Sequence, residues 1–236
     1  MSEIEKLNLT SDAAGKSLFM LGNEAIARGA IESGLAVYAA YPGTPSSEIS
    51  ETLIDLAKEV GYYAQWSVNE KVAFEVAYGA ALCGVRAMAS MKHVGLNVAH
   101  DPLMSATTTG VTGGMVLVNA DDPGVWSSQN EQDNRAIAEQ AYLPVLEPSS
   151  VQEAKDMTVE AFKLSEKFGQ IFMLRSVTRL SHARGDVQLG RINKTPLKGE
   201  FKKREANLVI PVFARKNRVT MLERFGRIKA EFENSP

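Results

Sequence analysis

The chain has 236 residues, 44% apolar and 23% charged, with a formal net charge of −2, the balance of an ordinary globular protein. No run of eighteen apolar residues is present, which excludes a membrane-spanning helix. The polar, acidic start Met1-Ser2-Glu3-Ile4-Glu5-Lys6 lacks the apolar core of a secretory signal, so a cytoplasmic protein without a membrane partner is expected. A single cysteine, Cys83, excludes an internal disulfide and a cysteine-ligated cluster within these residues.

From residue 22 onward, helix-like and strand-like patterns alternate. A helix is predicted over Asn23–Ser33, a strand over Leu35–Ala40 and a helix from about Pro45 to Val60. Thr44 is expected to be the cap of that helix, with Pro45 in its first turn. Next come strand Tyr62–Val68, helix Glu70–Leu82, strand Val85–Met91, a helical stretch Leu96–Thr107 and strand Met115–Asn119. A polar loop leads to a helix from about Asn130 to Tyr142 and a short strand Pro144–Leu146. The clearest helix is Ser150–Phe168, with Ser150 and Glu153 as a capping box, a core stripe from Ala154 to Phe168 and Gly169 as its stop. Strand Gln170–Val177 closes the series. Repeated strand-then-helix units predict a three-layer α/β fold with a mostly parallel sheet, occupying residues 1–185.

Residues 186–236 read as a connector and an amphipathic helix (Val219, Leu222, Phe225, Ile228, Phe232) reaching toward a domain outside this chain. Residues 191–236 hold twelve Lys/Arg against five Asp/Glu, a net +7 that leaves −9 on the first 190 residues. Phe201, Phe213, Phe225 and Phe232 match no nucleic-acid-binding motif, so an acidic protein surface is expected as partner rather than nucleic acid.

Four strand-to-helix corners carry the polar chemistry. The first is Tyr41-Pro42-Gly43-Thr44-Pro45-Ser46-Ser47, and the second places Glu70 where a strand feeds a helix of small residues. The third, Lys92-His93-Val94-Gly95-Leu96-Asn97, sets two basic groups and a glycine at a helix start, which suits an anionic or polar ligand. The fourth runs from Ala120 to Asp133 and includes Asp121, Asp122 and Trp126. Each has a bland reading as well: Thr44 as a plain cap, Glu70 as a first-turn acid favoured by the helix dipole, and the third corner as a polar loop. The Asp-Asp-Pro-Gly run matches no established metal loop, and no residue of this chain is expected to bind a metal.

Together, the first two corners resemble the pyrimidine-binding domain of thiamine-diphosphate-dependent 2-oxoacid:ferredoxin oxidoreductases, most nearly the α subunits that act on indolepyruvate. The resemblance covers roughly residues 18–185, the first portion of such a subunit. It implies that Glu70 donates a proton to the coenzyme's aminopyrimidine ring, so that the coenzyme's own 4′-nitrogen can take the thiazolium C2 proton. It implies that Thr44 faces the 2-oxoacid, and that Pro42, Gly43, Lys92, His93 and Asn97 line the coenzyme. Pyruvate-specific members carry an arginine at the fourth corner. Here Asp122 and Trp126 stand in that region as expected substrate contacts, which implies a bulkier arylpyruvate. The Gly-Asp-Gly…Asn motif that holds Mg²⁺ and the diphosphate is missing, since Gly185-Asp186 lacks that context.

The implied whole is therefore a dimeric assembly with a diphosphate-binding domain and a second subunit. Iron–sulfur clusters would lie elsewhere, coenzyme A would accept the acyl group, and ferredoxin would take the electrons. These residues alone are expected to be catalytically inert. Two readings stay open beside it: the pyrimidine domain of a non-oxidative thiamine-diphosphate 2-oxoacid decarboxylase, and a non-catalytic α/β interaction module.

Overall fold

A computed structural model describes residues 7–194 and 198–235. The N-terminal hexapeptide and residues 195–197 of the expected connector lie outside these. In chain order the elements are β1 (Ser17–Leu21), α1 (Gly22–Glu32), β2 (Val37–Ala40), α2 (Ser47–Val60), β3 (Tyr63–Trp66), α3 (Glu70–Leu82), β4 (Ala87–Lys92), α4 (His93–Val98) and α5 (His100–Thr109). There follow β5 (Met115–Asp121), α6 (Arg135–Gln140), β6 (Val145–Leu146), α7 (Val151–Phe168), β7 (Phe172–Val177), α8 (Thr178–Ser181), β8 (Arg184–Gln188), a 3₁₀ turn (Glu205–Asn207) and α9 (Pro211–Glu233).

Strands β2 to β7 form one parallel sheet in the order β3-β2-β4-β5-β7-β6. Its central strands are apolar on both faces because both are covered, and the side chains alternate between two cores. Met88, Val116, Val118, Phe172 and Leu174 pack with α1, α2 and α7. Ala87, Ala89, Met91, Met115, Leu117 and Met173 pack with α3, α4, α5 and α6. The expected three-layer α/β architecture is present.

Three local expectations differ from the structure. Ser46, not Thr44, caps α2, so Thr44 lies outside the helix in the turn before it, with a cis bond to Pro45. Residues 17–21 form β1, which pairs antiparallel with β8 in a separate two-stranded sheet. The expected division after residue 185 falls inside β8, where long-range pairing and no local period marks the strand. Finally, α9 has a partner within the chain. Its buried residues are Asn217, Met221, Arg224 and Ile228, while Val219 and Leu222 of the expected stripe face outward. The polar members of that face hid it from an apolar-period reading. Arg224 donates to the Thr107 carbonyl at the end of α5, and Phe232 meets Phe172 edge to face.

A buried charge cluster joins the chain's outlying segments to this body. Arg28, fully buried, donates to Glu32 at 2.8 Å and to the carbonyls of Leu9, Ser11 and Gly190. Lys155 reaches the same Glu32 at 3.1 Å, and Gly190 N–H donates to its other oxygen. Removing one member of such a buried set strands the others without compensation. Glu32→Ala should therefore cost about 3–5 kcal/mol in the urea unfolding of this chain. A loss under about 1 kcal/mol would show that the cluster relaxes into water.

Candidate functional site

From β2 the chain crosses outward to β3 and then returns past β2 to β4, so the winding reverses between β2 and β4. In open parallel sheets, a crevice opens at such a point beyond the carboxyl ends of the strands. All four polar corners sit on that edge, following β2, β3, β4 and β5.

Glu70 is the first residue of α3. Asn69 caps the helix by accepting from Val72 N–H at 2.9 Å, which fixes the direction in which Glu70 leaves the backbone. Its side chain is 8% exposed and lies across Gly95 of the third corner. A Cβ added at residue 95 would stand 2.6 Å from Glu70 Oε1 and 2.7 Å from its Cγ, so Gly95 is the space in which the carboxyl rests. Among the described residues, the carboxyl has neither an ion-pair partner nor a hydrogen-bond donor. Neither carboxyl oxygen is sealed from solvent, so the rest of the side chain is covered while the carboxyl itself opens onto the crevice.

The first corner meets the third in the same way. A Cβ at Gly43 would stand 2.9 Å from both Cγ and Cδ of Lys92, so the bare glycine accommodates the lysine stem rather than a ligand. Thr44, half-buried, follows directly, and Pro42 and Tyr41 are exposed at the rim. Lys92 ends β4, and its ammonium reaches toward the Ser127 carbonyl at 3.5 Å. Asn97 is exposed on α4 and has no hydrogen-bond partner among the described residues.

The fourth corner is held from beneath. Asp121, fully buried, accepts from Arg175 Nε at 2.7 Å, from Asn119 at 2.6 Å and from the Asn134 N–H at 3.2 Å. The Asn134 side chain donates to Asn119 and to the His93 carbonyl. His93 is fully buried, and its Nε2–H donates to the Asn130 carbonyl at 2.9 Å, leaving Nδ1 as a buried acceptor without a partner. The cations at this edge are mostly neutralised. Arg175 also pairs with Glu147, and Arg135 is bound by Asp133, whose carboxyl it holds at about 2.

Asp122, expected as a substrate contact, is buried, and its oxygens serve the loop. Oδ1 accepts from the Thr178 hydroxyl at 2.6 Å and Oδ2 from Ser127 N–H at 2.8 Å. Burial pushes this carboxyl up, but those hydrogen bonds outweigh it and hold the group at about 2. Trp126, 80% exposed, projects from the same loop. The sequence reading passed over Asn119, Asn134 and Arg175. Only pairing between β5 and β7 brings Arg175 under Asp121, and no local spacing signals that.

Among the described residues, no group of three or more His, Cys, Asp or Glu stands together as a metal site, and no helix is long and apolar enough to cross a membrane. A cavity of about 570 Å³ lined by Thr10, Leu35, Glu59 and Ile192 lies at the opposite edge of the sheet, remote from the four corners.

Residues 28–225 match the family described as pyruvate flavodoxin/ferredoxin oxidoreductase, thiamine diphosphate-binding. The indolepyruvate oxidoreductase subunit IorA of Archaeoglobus fulgidus is 56% identical over 97% of this chain and 38% of its own length. The corresponding subunit of Pyrococcus abyssi is 54% identical over 95% of this chain and 36% of its own length. The chain thus spans little more than a third of these relatives. Among solved structures, 2-oxoglutarate:ferredoxin oxidoreductase from Magnetococcus marinus superposes with a TM-score of 0.74 over 91% of this chain and 45% of its own, at 17% identity. That likeness carries the fold alone.

Two measurements check the geometry. Gly95→Ala should destabilise the chain by about 1–3 kcal/mol, the usual cost of overpacking. Combining it with Glu70→Ala should recover most of that loss, because the clash is with the Glu70 carboxyl; strict additivity would mean the two do not touch. Asp122, held below its unfolded value, contributes stability that is complete above the ordinary carboxylate range and lost as pH falls toward about 2. The protection factor of the Ser127 amide should accordingly fall between pH 4 and pH 2. In Asp122→Asn it should already be low at pH 4 and flat over that window.

Proposed function

The chain belongs to the pyruvate flavodoxin/ferredoxin oxidoreductase family, in its thiamine-diphosphate-binding part, and on that premise we propose that it forms the pyrimidine-binding part of a larger 2-oxoacid:ferredoxin oxidoreductase that oxidatively decarboxylates an arylpyruvate such as indolepyruvate. The observation that carries this reading is Glu70, a largely covered residue whose carboxyl has no partner among the described residues and opens onto the crevice where the sheet's winding reverses. The relatives named for indolepyruvate, at 54% and 56% identity, support the oxidative reading over a non-oxidative decarboxylase.

Thiamine diphosphate, when bound, supplies a ring carbon that becomes nucleophilic toward a 2-oxo group once its proton has left. The chain's residues fit the pyrimidine end of that coenzyme. Glu70 would give its carboxyl to a ring nitrogen as the hydrogen-bonding partner for general acid–base work, with no other donor competing for it among the described residues. The Gly95 gap keeps the carboxyl at that position. His93, fully buried, pins the fourth loop through Nε2 and would serve the coenzyme by holding the corner in shape. Pro42 and Gly43 shape the corner, Asn97 stands at its rim, and Thr44 presents a hydroxyl to the substrate's oxo end. Trp126 and the exposed Tyr41 offer aromatic surface to an aryl side chain. Asp122 acts one step back, by shaping the loop that bears Trp126.

The Mg²⁺ and diphosphate anchor is assigned to a domain outside these residues, because the sequence lacks its motif. Iron–sulfur clusters, coenzyme A, ferredoxin and a second subunit belong to the same proposal. Exposed Trp66, Val68 and Trp126 beside the crevice give the diphosphate-binding domain an apolar surface to meet. Residues 1–185 are the proposed pyrimidine-binding domain, extended by β8, and the remainder is the proposed extension toward the next domain.

The direct test is hydrogen–deuterium exchange at the coenzyme's C2 in the complete enzyme. Glu70→Gln should slow exchange by roughly two to four orders of magnitude, the usual contribution of general acid–base groups, while the fold persists. Exchange at the wild-type rate in that variant would remove Glu70 from the chemistry.

A further inference from the structure

Among the cations on the carboxyl edge of the sheet, Lys92 is set apart. Arg135 is engaged by both oxygens of Asp133, Arg175 by Asp121 and Glu147, and Lys71 by Asp101 at 3.3 Å. Among the described residues, Lys92 has no carboxylate within 4.0 Å. Its one hydrogen-bonding contact among those residues is the Ser127 carbonyl at 3.5 Å, the outer limit of a hydrogen bond, for a group with three donors. Arg179 also lacks an acid partner, but it lies on α8 beyond β7, two strands from β4 and so about 10 Å along the sheet.

The lysine is also held in place. Its Cγ and Cδ fill the space that a side chain at residue 43 would occupy, and its backbone ends strand β4 in register with Ala120 of β5. A side chain this long normally keeps much rotamer freedom, and packing its stem removes much of that in advance. The ammonium is therefore presented at the mouth of the crevice, next to Thr44 in sequence through Gly43 and joined to Glu70 through Gly95. The aspartates of the fourth corner are consumed by loop contacts, so none of them neutralises it.

We propose that Lys92 Nζ, in place of the coenzyme contact that the resemblance implies for it, is the anchor for the substrate's carboxylate, selecting 2-oxoacids and turning the oxo carbon toward Thr44. This rests on the function proposed above and gives its substrate class a specific residue. A 2-oxoacid brings one negative charge into a partly desolvated crevice, where a charge-assisted hydrogen bond from a pinned ammonium is worth most. Arginine at the fourth corner is unnecessary when the cation comes from the third, and a point charge on a thin stem leaves the rest of the crevice open to an aryl ring.

The test uses the complete oxidoreductase, with the full-length subunit and its partner. Lys92→Met should raise KM for an arylpyruvate about ten- to hundred-fold, the worth of a hydrogen bond to a charged group, with kcat within a few-fold. Affinity for thiamine diphosphate and KM for coenzyme A should not move, and Lys92→Arg should recover most of the loss. A measurement that needs no variant accompanies it. As competitive inhibitors of the wild type, a 3-arylpropionate should bind at least ten-fold tighter than its neutral amide.

Unchanged KM in Lys92→Met, or lost coenzyme affinity in place of substrate affinity, overturns the assignment. So does a wild type that exchanges the C2 proton but shows no preference for acid over amide, and in that case the proposed function stands. A complete enzyme that binds no thiamine diphosphate fails the reading beneath both.

Discussion

The corner that follows β4 is the contact on which the site depends. The first corner touches it where the Lys92 stem fills the gap at Gly43, and the second where the Glu70 carboxyl fills the gap at Gly95. The fourth joins it through His93 Nε2 to the Asn130 carbonyl and through the Asn134 side chain to the His93 carbonyl. Three segments far apart in sequence are thus placed by one six-residue stretch. Two of the three contacts require a missing side chain rather than a chosen one. A methyl group at either glycine would push aside the charged residue that gives the crevice its chemistry.

What keeps that corner fixed is a set of buried polar groups bonded to one another beneath the fourth loop. Asp121, Arg175, Asn119 and Asn134 satisfy one another on the sheet's carboxyl edge, with Glu147 and Asp133 beyond them. Such a network adds little net stability compared with well-packed apolar residues, and it turns costly once broken. Its benefit is positional. With Asp122 fastened to Thr178 and Ser127, it fixes the carbonyls of Ser127 and Asn130 against which Lys92 and His93 are set. The loop's charges are engaged with one another, whereas among the described residues Glu70 and Lys92 have no oppositely charged partner.

The far edge of the sheet is built for a different purpose. There, Arg28, Glu32 and Lys155 tie the N-terminal segment and the stretch after β8 onto α1 and α7, and Arg224 of α9 covers the end of α5. The Arg28 donors go to Glu32 and to three backbone carbonyls, and Lys155 pairs with both Glu32 and Asp156. The result is an anchored body that leaves the opposite, ligand-facing edge free to carry exposed aromatic side chains.

The sequence by itself determined the parallel α/β architecture and the span of α3 and α7, and it put Glu70 at the start of α3. Those follow from local rules: the period of apolar residues, the cap at Ser150 and the stop at Gly169. It also identified the four corners, since turn residues and charged groups at strand ends are visible in a single line of letters. Tertiary structure alone decided which corner touches which. It turned Asp122 from a ligand contact into a loop anchor, moved the cap of α2 from Thr44 to Ser46, and paired β1 with β8 across more than 160 residues. It also buried Asn217 and Arg224 on α9 in place of Val219 and Leu222. The physical reason is the same in each case. A hydrogen bond or a filled gap between distant segments has no period and no spacing, so it exists only once the sheet has brought its strand ends side by side.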